Sequence, residues 1–109
     1  MQLMLDFHYS DTWADPGKQF TPKSWEQADR KALADSMYAY TRRVLKAMVR
    51  ARVTPELIQV GNEITNGLLW PTGKLDPSGF ENWDTVTDFL KAGCKACREV
   101  CPKAQIIIH

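Results

Sequence analysis

Carboxylate, imidazole and amide side chains cluster at two places in this sequence, each within or directly after a short run of β-forming residues. The first cluster contains Asp6 and His8, and the second contains Asn62 and Glu63. A glutamate such as Glu63 can act as a general acid and base. Structural roles remain open for all four: Glu63 as a helix-entry acid, His8 hydrogen-bonded to Asp6, and Asn62 as a turn former.

Alternation along the two runs places the polar groups on one face of a sheet. Asp6 and His8 share a face of the first run, and Gln59 and Glu63 share a face of the second. The opposite faces carry aliphatic and aromatic residues, namely Leu3, Leu5 and Phe7 in the first run and Ile58 and Val60 in the second. If those faces contact helices, the polar set lines the other side. Such a face, ending in a carboxylate, is typical of the interior of a glycosidase barrel.

Three strands alternating with two helices are predicted to position these groups. We expect strands at Gln2–His8, Leu57–Gly61 and Ile106–His109, one helix from about Ala28 to Arg52, and a second that starts between Ser78 and Asn82. The run Ser78-Gly79-Phe80-Glu81 has capping-box spacing. The order β-α-β-α-β predicts a parallel α/β sheet with its helices on one face.

The tryptophans divide by context. Trp83 lies on the apolar stripe of the second helix, so we expect it in the core. Trp13 and Trp70 lie in the loops after the first two strands, where an exposed indole can stack on a sugar ring.

Three cysteines, Cys94, Cys97 and Cys101, lie close together near the end of the second helix. Their spacing matches the last three ligands of a ferredoxin-type cluster, but Lys91 occupies the position of the fourth. The same spacing follows one face of a helix, where cysteine behaves as a small apolar residue. We favour the core interpretation.

Length and charge exclude several classes of protein. A chain of 109 residues is too short for a complete (β/α)8 barrel, which needs roughly 200 or more. A net charge of +1 supplies no field that attracts nucleic acid or anionic membranes. No apolar run approaches the ~20 residues of a membrane span, and the first residues lack signal-peptide features.

Three runs are distinctive: residues 5–19 (LDFHYSDTWADPGKQ), 59–64 (QVGNEI) and 67–73 (GLLWPTG). They closely resemble the arabinogalactan endo-β-1,4-galactanases of glycoside hydrolase family 53, and the resemblance extends over essentially the whole chain. It implies a retaining hydrolase whose single catalytic domain is a (β/α)8 barrel. This chain would be a fragment of that domain, a partial barrel carrying strands three to five.

The resemblance also implies a role for Glu63 as general acid and base and for Asn62 as a contact of the sugar 2-hydroxyl. Retaining cleavage needs a second carboxylate about 5–5.5 Å away. In the family that nucleophile follows the seventh strand, which would lie beyond His109.

The remaining substrate contacts are also implied by the resemblance: His8 and His109 on the floor of the cleft, and Trp13, Asp15 and Trp70 at its rim. The implied partner is galactan or arabinogalactan, with no cofactor and no metal site in this part of the barrel. The parent enzyme would be secreted or periplasmic.

Two other classes remain open: a non-catalytic carbohydrate-binding or structural α/β module, and an iron–sulfur or zinc protein that uses the three cysteines. For the favoured fragment we expect no catalysis in isolation, because Glu63 lacks its partner carboxylate. We also expect self-association, because three strands of a barrel leave both sheet edges unpaired.

Overall fold

The computed structural model describes residues 2–76 and 82–109. Strands β1 (Met4–Phe7), β2 (Leu57–Val60) and β3 (Gln105–Ile107) alternate with helices α1 (Arg30–Arg50) and α2 (Trp83–Val100). Short 3-10 turns at Lys23–Trp25 and Ile64–Asn66 follow β1 and β2. The predicted order of elements is confirmed, with somewhat shorter strands. Neither helix in these described ranges is long and apolar enough to cross a membrane.

The sheet has the strand order β1-β2-β3, and both neighbouring pairs are parallel. Phe7 lies opposite Val60, and Gln59 lies opposite Ile107. Since all three strands run in the same direction, the residues that follow them meet at one edge of the sheet. The predicted parallel arrangement is therefore confirmed.

The apolar core lies between the sheet and the two helices. Its most deeply buried members come from all of these elements and from the loop after β2: Leu33, Met37, Leu45, Ile58, Val60, Leu68, Phe89 and Cys97. Gly93 on α2 allows the helix to approach the sheet closely, since a Cβ there would lie 2.7 Å from Val60 Cγ1. The aliphatic faces thus meet the helices, as the alternation predicts.

Helix α1 is capped at both ends by local hydrogen bonds. The Asp29 side chain accepts a bond from the backbone N–H of Ala32 at 2.9 Å, so the helix begins after Asp29. At the other end Arg52 has a left-handed backbone (φ 62°), and Val53 N–H donates to the carbonyl of Met48 at 2.9 Å. This is a Schellman termination, and it ends the helix before Pro55 is reached.

The prediction that Trp83 belongs to the core is wrong, because its side chain is 48% exposed. The buried face of α2 is formed by Val86, Phe89, Gly93 and Cys97. At about 100° per residue, Trp83 lies at one edge of this face. Phe89, Gly93 and Cys97 lie along the middle of the buried face, which is therefore turned away from Trp83. The capping-box run Ser78–Glu81 lies outside the described residues.

Candidate active site

The carboxyl-terminal edge of the sheet brings the predicted polar residues together. Asp6 of β1 pairs in register with Gln59 of β2. His8 follows β1, and Asn62 and Glu63 follow β2. Two loops, one after each strand, cover this edge and supply further partners.

The His8 imidazole is held by hydrogen bonds at both of its nitrogens. Its Nε2 lies 3.0 Å from Asp6 Oδ2, and its Nδ1 accepts the backbone N–H of Ala14 at 3.0 Å. An Nδ1 that accepts a hydrogen bond carries no proton, so the neutral ring is the Nε2–H tautomer, which donates to Asp6. The structural interpretation of a His8–Asp6 pair is therefore confirmed, and the ring has a defined orientation.

Asn62 is buried, and its side-chain amide is engaged at both ends. Its Nδ2 donates to the carbonyl of Ala14 at 2.8 Å, and its Oδ1 accepts from Gln59 Nε2 at 2.8 Å. The Gln59 amide, itself buried, also lies 2.9 Å from Asp6 Oδ1 and 2.9 Å from the carbonyl of Gly61. One of the two Asn62 N–H groups is thus used in these contacts, and the second has no hydrogen bond to the described residues.

Glu63 has a left-handed backbone, with φ 51° and ψ 52°, a conformation that costs a residue with a Cβ roughly 1–2 kcal/mol. It lies at the amino end of the Ile64–Asn66 turn and is half-buried. In the part of the chain that the structure describes, the Glu63 carboxylate makes no hydrogen bond or ion pair. A strained backbone that presents an uncommitted carboxylate is a feature of functional sites.

Gln19 fixes the backbone of this strand end, and sequence reasoning missed it. Its side chain is 1% exposed, and its amide nitrogen lies 2.7 Å from the carbonyl of Asn62, 3.3 Å from that of Glu63 and 3.1 Å from that of Asp15. A glutamine in a polar loop carries no local signal for such a role.

Trp13 is exposed, as predicted, with 71% of its surface accessible. Its indole meets the His8 imidazole edge to face, with the ring centroids 5.0 Å apart. The position predicted for a sugar-stacking residue is therefore next to His8, with a free aromatic face.

Trp70 is more enclosed than Trp13. Its Nε1 donates to the carbonyl of Asn66 at 2.9 Å, and its carbonyl accepts from Thr21 Oγ1 at 2.6 Å. The Lys74 ammonium lies 4.6 Å from the centre of the indole. Trp70 therefore joins the loops after β1 and β2, and part of its ring surface is already covered.

Asp15 and His109 contact the site mainly through their backbones. The Asp15 carboxylate accepts the backbone N–H of Gly17 at 2.7 Å and lies 3.5 Å from the Lys18 ammonium, so it closes its own turn. The carbonyl of His109 accepts the N–H of Ile64 at 2.9 Å, which ties the end of β3 to the residue after Glu63. The side chain of His109 is exposed.

The three cysteines form no metal centre with neighbouring residues. Cys97 and Cys101 are buried, as predicted, and Cys94 is half-buried; all three are free thiols. Burial raises the pKa of the Cys97 thiol to about 12. Within residues 2–76 and 82–109, no group of three His, Cys, Asp or Glu side chains is arranged to hold a metal ion.

Comparison with known proteins places this arrangement in a family. The sequence profile described as glycosyl hydrolase family 53 matches residues 1–109. An arabinogalactan endo-beta-1,4-galactanase of Cellvibrio japonicus is 40% identical over 114 residues, which cover 100% of this chain and 30% of that protein. A probable arabinogalactan endo-beta-1,4-galactanase A of Aspergillus flavus is 38% identical over 109 residues, 98% of this chain and 30% of the relative.

Solved structures agree with the sequence comparison. The GH53 catalytic domain of Ignisphaera aggregans superposes with a TM-score of 0.92 at 41% identity, covering 99% of this chain and 29% of that one. A fungal beta-1,4-galactanase superposes with a TM-score of 0.89 at 37% identity, covering 100% of this chain and 32% of that one. The chain thus spans about 30% of the length of these relatives and has the fold of a partial (β/α)8 barrel. It belongs to glycosyl hydrolase family 53.

Proposed function

We propose that this chain is the part of a retaining endo-β-1,4-galactanase that carries the general acid and base. In this proposal Glu63 protonates the leaving glycosidic oxygen and then activates water. The observation that carries the proposal is the position of Glu63. It follows Asn62 at the carboxyl end of β2, with a left-handed backbone and a carboxylate free of protein partners among the described residues. A general acid that must reach a substrate oxygen needs such freedom.

The neighbouring groups are suited to binding a sugar. The second N–H of the Asn62 amide is available to donate to a hydroxyl at the cleavage position. Trp13 offers an exposed aromatic face, which can pack on the apolar face of a galactose ring. Both nitrogens of His8 are bonded to the protein, so for His8 we propose a contact through the ring itself, beside Trp13 at the floor of the cleft. For Asp15, Trp70 and His109 we propose substrate contacts at the rim and floor.

The second carboxylate of a retaining mechanism is proposed to lie outside these 109 residues. Both oxygens of Asp6 are engaged, by His8 and by Gln59, so this carboxylate is a poor nucleophile. The other described glutamates lie elsewhere: Glu26 beside the first 3-10 turn, Glu56 before β2, and Glu99 on α2 in contact with Tyr38 and Arg42. The isolated chain is therefore expected to be inactive.

The proposed substrate is a galactan or arabinogalactan polysaccharide. An intact polysaccharide does not cross a cell membrane before it is hydrolysed. We therefore propose that the parent enzyme acts outside the cytoplasm, in a secreted or periplasmic form. We propose no cofactor, since retaining glycoside hydrolysis by two carboxylates needs none.

The test is hydrolysis of galactan by the full-length protein, measured as reducing-sugar release. Glu63→Gln is expected to lower kcat by at least 10²–10⁴-fold. Glu56→Gln is the matched control at the opposite end of β2, and it should stay within about twofold. An aryl galactoside with an activated leaving group needs little protonation, so its first step should survive in Glu63→Gln while deglycosylation stays slow. A nearly unchanged kcat for Glu63→Gln on galactan would remove the assignment.

A second function, a carbohydrate-binding module without catalysis, is favoured by one observation: Trp13 is exposed and lies next to His8. Stacking of a sugar on this indole does not need a second carboxylate. Titration of the 109-residue chain with β-1,4-galactotriose distinguishes the two functions when combined with the activity assay. Binding by the chain together with no hydrolysis by the full-length protein would favour the module.

A further inference from the structure

Five residues at the carboxyl edge of the sheet form a closed ring of hydrogen bonds. Proceeding around it, His8 donates to Asp6, Asp6 accepts from Gln59, Gln59 donates to Asn62, Asn62 donates to the carbonyl of Ala14, and the N–H of Ala14 donates to His8. All five distances lie between 2.8 and 3.0 Å. We call these five residues the hydrogen-bond ring.

The orientation of every group in the ring follows from its acceptors. The Gln59 nitrogen is surrounded by three oxygens, from Asp6, Gly61 and Asn62, so its NH2 end must point at them. Because Gln59 donates to Asn62 Oδ1, the Asn62 NH2 end is turned towards Ala14. None of these amides can flip without placing two acceptors in contact.

We propose that Gln59 is a positioning residue that holds the amide of Asn62 and the Asp6–His8 pair in their working orientations before substrate binds. This inference rests on the proposed function, because it treats Asn62 and His8 as the groups that contact the sugar. Gln59 itself is buried at 4% exposure and acts through its neighbours. It connects the ends of β1 and β2, and so couples the two strands that carry the site.

A buried glutamine could also serve packing alone, and two substitutions separate these roles. Gln59→Met keeps the length of the side chain and removes its N–H donors. Gln59→Glu keeps the shape of the side chain and replaces the amide nitrogen by an oxygen. That oxygen faces the Asp6 carboxylate, which is bonded to His8. On the other side, Ile107 of β3 lies opposite position 59 in the sheet. An ionised carboxylate has no N–H or O–H to donate, so Gln59→Glu removes the donor while it keeps the shape, and both variants should open the ring.

The first experiment needs no enzymatic activity. Hydrogen exchange of the Ala14 amide, followed by NMR in the full-length protein, reports whether the ring is closed. Loss of one hydrogen bond predicts about tenfold faster exchange in Gln59→Met. Amides of α1 such as that of Leu45 should be unchanged. Gln105→Met is the matched control, since Gln105 is an exposed glutamine on the adjacent strand.

The same samples show the histidine tautomer by 15N chemical shifts, with exposed His109 as the internal reference. The unsubstituted chain should show His8 as Nε2–H. Faster Ala14 exchange in both Gln59→Met and Gln59→Glu, at one pH, would support the ring directly. Unchanged Ala14 exchange in Gln59→Met, or a His8 ring in the other tautomer, would overturn the proposal.

The second experiment measures galactan hydrolysis by the full-length protein. Displacement of a positioned group costs on the order of 10²-fold in rate, so Gln59→Met should lower kcat by about that factor with a smaller change in KM. For a 2-deoxy galactoside, Gln59→Met should lower kcat by a smaller factor than it does for the parent substrate, because the 2-deoxy sugar has no 2-hydroxyl for Asn62 to bind. Equal losses for both would overturn the positioning role. If the unsubstituted protein does not cleave galactan, the proposed function fails, while the exchange experiment still decides the role of Gln59.

Discussion

Replacement of Gln19 by methionine tests how firmly the loop after β1 holds the strand end at Glu63. The Gln19 amide is almost fully buried, and its shortest contact is the 2.7 Å bond to the carbonyl of Asn62. Methionine has a similar length and volume but no donor. The substitution therefore removes the hydrogen bonds and largely preserves the packing.

The expected magnitude follows from the partners that remain. The carbonyl of Asp15 also accepts the N–H of Lys18 at 3.0 Å, so it keeps a partner when Gln19 is replaced. The carbonyl of Asn62 loses the contact with the Gln19 amide. A buried acceptor without a partner costs about 1–3 kcal/mol, so we expect the free energy of unfolding to fall by about 2 kcal/mol.

Urea unfolding followed by tryptophan fluorescence measures this loss. With an m-value of about 2 kcal/mol/M, the midpoint should fall by about 1 M. Gln27→Met is the matched control, because Gln27 is exposed in a turn and its replacement should change stability by less than about 0.5 kcal/mol. If Gln19→Met is as stable as this control, the Gln19 amide does not hold the strand end and the reasoning is refuted.

Four further predictions concern the core, the thiols and the sheet edges. Tyr9 and Thr41 share a buried hydrogen bond of 2.7 Å. Tyr9→Phe should therefore lower the free energy of unfolding in urea by about 1–3 kcal/mol, and adding Thr41→Val should recover much of the loss. Equal stability of the single and double variants would contradict this. Burial raises the pKa of the Cys97 thiol to about 12, and Cys94 is only half-buried. Iodoacetamide at pH 8 should therefore alkylate Cys94 before Cys97, as measured by mass spectrometry. The reverse order would contradict this prediction. The folded thiol keeps its proton where the unfolded one ionises, so stability should fall as the pH rises from about 9 to 12. The 109-residue chain should form dimers or larger species in light scattering at micromolar concentration, because the outer edges of β1 and β3 are unpaired among the described residues; a monomer would contradict this.

The sequence alone was sufficient for the order of elements and for the face that carries the polar groups. Alternation in β1 and β2 separates Asp6 and Gln59 from Phe7 and Val60, and the structure has this division. Periodicity reports which side of an element is apolar, because side-chain direction repeats along a strand or helix. Parallel strands then bring their carboxyl ends to one edge, so the neighbourhood of Glu63 could be predicted without coordinates.

Local patterns are weaker where several apolar faces compete. On α2 the buried face is centred near Gly93, with Phe89 and Cys97 beside it, and Trp83 is left at its exposed edge. A large residue, Phe89, and a small one, Gly93, both lie on that face, so side-chain size alone does not identify it. The packing of α2 against Val60 of the sheet and Met37 of α1 decided which side of the helix is buried.

Apart from the His8–Asp6 pair, the hydrogen bonds that orient the site depended on the tertiary structure. Gln59 reaches Asp6 across 53 positions of sequence, and Gln19 reaches the carbonyl of Asn62 across 43. Alternation places Gln59 on the polar face of β2, but the local sequence of neither glutamine identifies its hydrogen-bond partners. Their roles arise because the loop after β1 folds over the end of β2, where buried oxygens need donors and water is excluded. The amide orientations and the His8 tautomer follow from that closure.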